Sequence, residues 1–185
     1  LDKNGVSLYN ECREKIDKQV SYITWSVDAA EKDGYEDFML KEIYEQPKAI
    51  RDTMKSRIML NSPINLDDIK LEKEDLEKID KIYIVACGTA YNAGVIGKSV
   101  IEKLARISVE TDIASEFRYK DPIITKNTLV IILSQSGETA DTLAVLRDAK
   151  SKGARTIAIT NVVGSSIARE AHDILYTWAG PEIAV

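Results

Sequence analysis

The sequence contains few of the residues on which several classes of protein depend. Among its 185 residues are one histidine, His172, and two cysteines, Cys12 and Cys87. Two cysteines are too few for a disulfide framework, and a single histidine argues against a metal centre built on imidazole ligands. We therefore expect a reduced, cytoplasmic protein that binds no metal ion.

Excess positive charge and long apolar runs are also missing. The chain has 25 Lys and Arg residues against 30 Asp and Glu residues, a formal charge of -5, and the two signs are interspersed. Proteins that bind nucleic acid normally present a basic face, and a membrane-spanning helix needs roughly 18 consecutive apolar residues. We expect neither a nucleic-acid partner nor a membrane partner.

The first 34 residues differ in pattern from the rest. Residues 6–9 and 20–25 are short runs typical of strands, and Asp33-Gly34 is a turn signal. Two short strands cannot bury a core alone. Residues 1–34 are therefore expected to be an arm, or the tail of another domain.

Helical spacing of apolar residues marks the segment that follows. The pattern covers residues 36–58 but is interrupted by Pro47, so we predict two helices with Pro47 in the first turn of the second. Residues 66–80 alternate in charge around apolar positions, which predicts a short helix with a solvated face. We interpret residues 35–74 as a helical linker and residues 75–185 as the main domain.

The main domain has five apolar segments with strand character. They lie at residues 82–86, 107–113, 128–133, 155–160 and 174–178. Helical segments follow the first four, and the helix predicted from Glu138 to Lys152 has Gly153 at its C-cap. Strands that are apolar throughout and alternate with helices predict a doubly wound α/β fold, whose five-stranded parallel sheet is covered by helices on both faces.

In such sheets ligands bind at the carboxyl ends of the strands. Three segments that pair hydroxyl groups with a glycine follow predicted strands: Cys87–Ala90, Ser134–Thr139 and Asn161–Ser166. A predicted helix opens at or just after each, where unpaired N–H groups and the helix dipole favour an anion. Glycine admits the anion to the backbone, and hydroxyls donate hydrogen bonds. This pattern favours a single phosphate group held by neutral donors.

Larger phosphate ligands and purely structural roles compete with this interpretation. The chain has neither G-x-x-x-x-G-K-[ST] nor G-x-G-x-x-G, which disfavours a nucleoside triphosphate and a dinucleotide. Taken alone, the Ser134–Thr139 loop is equally consistent with an ordinary helix N-cap. Cys87 and His172 are each more typical of a structural residue than of a catalytic one.

Five segments of the chain carry a family resemblance. They are KEIYEQP (Lys41–Pro47), CGTAY (Cys87–Tyr91), ASEFRY (Ala114–Tyr119), LSQSGETADTL (Leu133–Leu143) and NVVGSS (Asn161–Ser166). Together they resemble the first of the two sugar isomerase (SIS) domains of the glucosamine-6-phosphate synthase family, and the likeness extends from about residue 20 to residue 185.

The resemblance implies a set of substrate-binding residues. Ser134, Gln135, Ser136 and Thr139 would hold the phosphate of fructose 6-phosphate, Cys87, Gly88, Thr89 and Ala90 would adjoin the sugar, and Val162 and Ser166 would form the rim. The family usually has serine where Ala90 stands, so one side-chain contact is absent here.

The family converts fructose 6-phosphate and glutamine to glucosamine 6-phosphate and glutamate. The resemblance implies an aminotransferase as the parent protein, without metal, flavin or nicotinamide cofactor. Residues 1–30 resemble the end of its glutaminase domain, and its isomerase base, histidine and lysine would lie beyond Val185. We therefore expect no catalytic residue in this chain. The implied partners are the glutaminase domain, the second SIS domain and a second copy of the chain.

Two alternatives belong to other functional classes. A non-catalytic SIS module that senses a sugar phosphate would carry the same loops. A flavodoxin-like domain that binds a coloured cofactor would share the fold.

Overall fold

The computed structural model describes residues 3, 5–18, 31–55, 57–59, 61–66 and 69–184. Within these ranges the chain forms seven strands and six helices. In chain order they are β1 (Leu8–Tyr9), β2 (Lys15–Ile16), α1 (Phe38–Lys55), α2 (Lys73–Leu76), β3 (Lys81–Ala86), α3 (Ala90–Ala105), β4 (Ser108–Ile113), α4 (Ala114–Tyr119), β5 (Thr128–Leu133), α5 (Ala140–Ser151), β6 (Arg155–Thr160), α6 (Ser166–Glu170) and β7 (Asp173–Tyr176). None of these helices is long and apolar enough to cross a membrane.

Five strands form one sheet in the order β4-β3-β5-β6-β7. Every neighbouring pair in it is parallel. The predicted doubly wound α/β fold is therefore confirmed, and its five strands begin and end within two residues of the expected positions. The central strands are apolar on both faces because helices or connecting segments cover each face.

Side chains that alternate along the strands divide the core into two layers. Tyr83 and Val85 of β3 belong to the layer that also contains Phe117, Leu146 and Ile167 from α4, α5 and α6. Ile82 and Ile84 belong to the other layer, which is covered by α3 and by apolar residues from 69–79. A period of two residues is what an extended strand requires to supply both layers.

The two helices predicted around Pro47 are wrong, because α1 is continuous and contains Pro47 in its interior. Proline removes one helical hydrogen bond and costs a helix roughly 3 kcal/mol. Both halves of α1 are nevertheless bound to the final segment of the described chain. Glu42 accepts a hydrogen bond from the N–H of Ala184 at 3.0 Å, and the Thr53 hydroxyl donates to the carbonyl of Thr177. These tertiary contacts favour continuation of the helix.

The remaining differences lie mostly before the main domain. Within the predicted helix at 66–80, the described residues form only the short α2. The strand predicted at 20–25 lies outside the described residues. β1 instead pairs with β2 in antiparallel register across a turn, in which the side-chain oxygen of Asn10 accepts the N–H of Glu14 at 2.9 Å. Asparagine is a typical turn residue, and Asn10 is the feature of the sequence that indicates this turn.

Candidate functional site

Three hydroxyl-rich segments lie along the carboxyl edge of the main sheet. The chain passes from β3 outward to β4 and then returns to the other side of β3 as β5. The strand order therefore reverses between β3 and β5, which is where open parallel sheets bind their ligands. Cys87–Ala90 and Ser134–Thr139 follow these two strands directly, and Asn161–Ser166 follows the adjacent β6.

The Ser134–Thr139 loop uses its serines as internal acceptors. The Ser134 hydroxyl oxygen accepts the N–H of Gly137 at 3.1 Å, and the Ser136 hydroxyl oxygen accepts the N–H of Glu138 at 3.3 Å. A hydroxyl that accepts a hydrogen bond still has its own O–H to donate. Ser136 is exposed and can donate this O–H to an anion, whereas Ser134 is buried and its hydroxyl lies 3.4 Å from that of Thr139.

The first turn of α5 is not capped by the side chain of its N-cap residue. The N-cap residue, Thr139, makes no side-chain capping hydrogen bond. The first N–H groups of a helix have no partner within the helix, so without a capping side chain they remain suited to an anion or to water. Thr142 offers no replacement, since its hydroxyl donates to the Thr139 carbonyl at 2.8 Å.

Gly137 allows this loop to approach the loop after β6. Its φ is +64°, and a Cβ built there would lie 2.1 Å from the hydroxyl oxygen of Ser165. The neighbouring hydrogen bonds hold the two loops together. Gln135 accepts the N–H of Asn161 and Gly137 accepts the N–H of Ile167, both at 3.0 Å.

Glu138 has a different role from the one that the sequence predicts. The pattern places it in the first turn of the helix, but α5 begins at Ala140. Its carboxylate instead accepts the N–H of Ser166, the first residue of α6, at 2.7 Å. Hydrogen bonds from Ser166 lower the pKa of Glu138 from its ordinary value. The bond from the Ser166 hydroxyl has the larger effect, and the bond from its backbone N–H adds to it. An ionised carboxylate engaged in this way is a weak candidate for a general base.

The Cys87–Ala90 segment is the simplest part of the edge. Gly88 has a φ of +57° and turns the chain from β3 into α3, which begins at Ala90. Thr89 is exposed and does not cap α3, so its hydroxyl can face a ligand. Cys87 is half-buried and packs against the apolar core, which is consistent with a structural residue.

Sequence reasoning missed two buried polar residues in the third segment. Asn161 is a hub for the chain end, because its side-chain oxygen accepts hydrogen bonds from the Thr177 hydroxyl at 2.9 Å and the Ala179 N–H at 2.8 Å. Ser165 lies beneath Gly137, and its buried hydroxyl has no partner among the described residues. Neither role is visible in the NVVGSS motif, where both resemble ordinary loop residues.

The predicted rim residues lie beside this hub. Val162 is half-buried. The Ser166 hydroxyl accepts from the Arg169 guanidinium at 3.1 Å. A cavity of about 210 Å³ is lined by Asn161, by Gln135, by residues of α1 and by the 179–182 segment. The first long helix thus adjoins the candidate site, which its sequence position did not predict.

An open parallel sheet with hydroxyl groups and uncapped helix starts at its switch point is the arrangement that α/β domains use to bind phosphate groups. The sequence profile described as "SIS domain" matches residues 75–185, more than half of the chain. The chain belongs to the SIS domain family.

Particular relatives narrow this assignment. The whole chain is 74% identical to a protein of Clostridium acetobutylicum and 69% identical to one of Clostridium perfringens, each named glutamine–fructose-6-phosphate aminotransferase [isomerizing]. The chain spans 30% of the length of each of these relatives. Among solved structures, the C-terminal domain of glucosamine-fructose-6-phosphate aminotransferase from Francisella tularensis superposes with a TM-score of 0.75 at 47% identity, covering 83% of this chain and 43% of that one.

Proposed function

We propose that this chain is the sugar-phosphate-binding part of the isomerase module of an aminotransferase that converts fructose 6-phosphate and glutamine to glucosamine 6-phosphate and glutamate. The observation that carries the proposal is the Ser134–Thr139 loop, which presents hydroxyl donors at the sheet's switch point. The high identity to proteins of that name across the whole chain supports the same assignment.

The proposed roles follow from position and exposure. The exposed hydroxyl of Ser136 and the half-buried hydroxyl of Thr139 would donate to the phosphate, with Ser134 beneath them and Gln135 beside them. The sugar would lie toward the β3 end of the edge, against Cys87, Gly88, Thr89 and Ala90, with Val162 and Ser166 at the rim. Neutral donors suit a single phosphate group that must be released again after reaction.

We infer that this chain supplies binding and not the chemical step. Isomerisation requires a base within hydrogen-bond reach of a carbon-bound proton. The three loops offer serine, threonine and glutamine, which are poor bases, and Glu138 is engaged with Ser166. We place the whole protein in the cytoplasm. A glutaminase domain would supply its ammonia, and residues 1–34 would form the tail of that domain. A second SIS domain would supply the catalytic base. Residues 35–74 would link the two modules.

Calorimetric titration with fructose 6-phosphate tests the proposed phosphate loop. Loss of one hydroxyl that donates to an anion costs about 1–3 kcal/mol, so Ser136→Ala should weaken binding by roughly 5- to 150-fold. Ser151→Ala is the matched control, because Ser151 is an exposed serine at the other end of α5. Equal affinity in the wild type and Ser136→Ala would remove the phosphate site from this loop.

We also infer that the chain forms a homodimer through α3. Ile96, Val100 and Leu104 recur at intervals of four residues on that helix and are 67%, 49% and 76% exposed. Residues with this spacing share one helix face. A continuous apolar stripe is costly to leave in water, at about 25 cal/mol per Å², and marks a contact surface.

A further inference from the structure

A second cavity lies at the amino-terminal edge of the sheet, on the side opposite the candidate substrate site. Its volume is about 300 Å³, and it is lined by the first residues of β5 and β6, by His172 just before β7, and by Asp75 of α2 with the residues that follow that helix. Strands of six residues separate the two edges. At about 3.3 Å per residue this is a distance of roughly 20 Å, so one small ligand cannot occupy both sites.

The lining of this cavity is strongly cationic, although the chain as a whole is acidic. Among the described residues that line it are four basic side chains, Lys78, Lys126, Lys150 and Arg155, and one carboxylate, Asp75. Two of the four are already neutralised. Arg155 donates two hydrogen bonds to the buried Asp173, at 2.7 and 2.9 Å, and Lys78 lies 3.7 Å from the Asp75 carboxylate.

The other two lysines keep most of their charge unbalanced. Lys126 makes no hydrogen bond or ion pair with any residue that the structure describes. Lys150 donates one hydrogen bond to the carbonyl of Glu170, and an ammonium group has three donors. The carboxylate of Glu170 is occupied by the Arg147 guanidinium, with two hydrogen bonds of 2.7 and 2.8 Å. The described residues that line the cavity therefore carry about two net positive charges.

His172 adds a neutral donor with a fixed tautomer. The backbone N–H of Thr156 donates to its Nδ1 at 3.2 Å, so Nδ1 is the acceptor and Nε2 carries the proton. Burial of part of the ring is the largest cause that lowers the pKa of His172, and the charges of Lys150 and Arg155 lower it further. The ring is therefore neutral at pH 7. The remaining Nε2–H is available to a ligand.

We propose that this cavity binds a phosphate dianion, free or as a small phosphate monoester, through Lys126, Lys150 and the Nε2–H of His172. Two unbalanced lysines match the two charges of the dianion, and charge-assisted hydrogen bonds to such donors are strong. Lys150 also has an ordinary structural explanation, because a cation at the carboxyl end of α5 complements the helix dipole. The helix dipole explains neither the position of Lys126 nor the fixed tautomer of His172.

Two-dimensional ¹H–¹⁵N NMR of the chain, titrated with inorganic phosphate at constant pH and ionic strength, tests the proposal. The experiment uses the Ser136→Ala variant, in which binding at the proposed substrate loop is suppressed. The result for the cavity is therefore independent of the proposed function. We expect saturable shifts at the amides of Thr128, Ala154 and Arg155. Removing each lysine should weaken binding by about tenfold, or 1.4 kcal/mol, and Lys126→Ala with Lys150→Ala by more.

Lys103→Ala is the matched control, because it removes an exposed lysine of α3 away from the cavity. It should leave the titration unchanged. Identical titrations in the double lysine variant and the control would overturn the proposal, as would shifts that sodium chloride alone reproduces. Glycerol 3-phosphate, titrated in parallel, distinguishes the two sources of the dianion. Tighter binding than inorganic phosphate identifies an ester ligand, and weaker binding identifies the free ion.

Discussion

At the scale of single residues, Gly137 lies where two loops of the carboxyl edge touch. An alanine there would combine a left-handed backbone with a Cβ 2.1 Å from the Ser165 hydroxyl oxygen and 2.9 Å from Ile167. We expect Gly137→Ala to lower the free energy of unfolding by roughly 2–4 kcal/mol and to abolish fructose 6-phosphate binding. Urea denaturation and calorimetry measure the two effects.

The control for this prediction separates backbone strain from steric clash. Gly153 also has a positive φ, +82°, but a Cβ there would meet nothing within 4 Å. Gly153→Ala should therefore cost only the conformational term, about 1–2 kcal/mol. If both variants lose the same stability, the contact between Gly137 and Ser165 is unimportant.

Asp173 is a second residue whose environment decides its effect. Burial alone would raise the pKa of Asp173, but hydrogen bonds from Arg155 and from the Lys70 N–H hold it below its ordinary value. The carboxylate thus stabilises the fold above its unfolded pKa of about 3.9. This stabilisation is lost as the pH falls through the lower, folded pKa.

We expect Asp173→Asn to destabilise the chain by roughly 2–4 kcal/mol at pH 7, since Arg155 would lose its partner in a partly buried position. Below about pH 4 the difference from the wild type should shrink, because the unfolded wild-type chain then binds a proton at this carboxyl, and it should vanish once the pH falls through the lower, folded pKa. Urea denaturation across pH measures both. Asp52→Asn is the control, because the Lys48–Asp52 pair is exposed to solvent and its removal should leave the stability nearly unchanged. A constant difference from pH 3 to pH 7 would contradict this account.

At the scale of elements, α1 shows how tertiary contacts override a local rule. Pro47 lies inside a helix of 18 residues. Alanine would restore an N–H and remove the clash of the proline ring with the preceding turn. The gain is limited because proline also restricts the unfolded chain, by about 0.4–1 kcal/mol.

We therefore expect Pro47→Ala to raise the free energy of unfolding by roughly 2 kcal/mol. Thermal and urea denaturation measure the change. Ala49→Pro, two residues further along the same helix, should act in the opposite direction. Destabilisation by Pro47→Ala would mean that the proline makes a specific contribution, such as a bend that brings α1 to the 179–184 segment.

At the scale of the whole molecule, the proposed dimer depends on the stripe of α3. Light scattering coupled to size exclusion should give about twice the chain mass of 20.6 kDa. Leu104→Glu places a charge within the apolar stripe and should shift the chain to monomer, because burying an unpaired charge is strongly unfavourable. Ser151→Glu, on the opposite layer of helices, should remain dimeric. A monomeric wild type at high protein concentration would end the proposal.

The sequence by itself determined the sheet, its five strands and the position of the three hydroxyl-rich loops. Those features depend on residues close together in the chain, such as the apolar run of β3 and the glycine turn at Gly88. Strands that alternate with helices are parallel, so the loops that follow them lie at one edge of the sheet, and the sequence pattern alone predicts this.

Only the tertiary structure decided features that join residues distant in sequence. Examples are the continuity of α1 through Pro47, the hydrogen bond of Glu138 to the start of α6, and the cavity that gathers Lys126, Lys150 and His172. Local propensities are weak, about 1 kcal/mol per residue or less for most residues, and a few long-range contacts outweigh them. Such contacts arise from packing between elements, which a local pattern of residues does not specify.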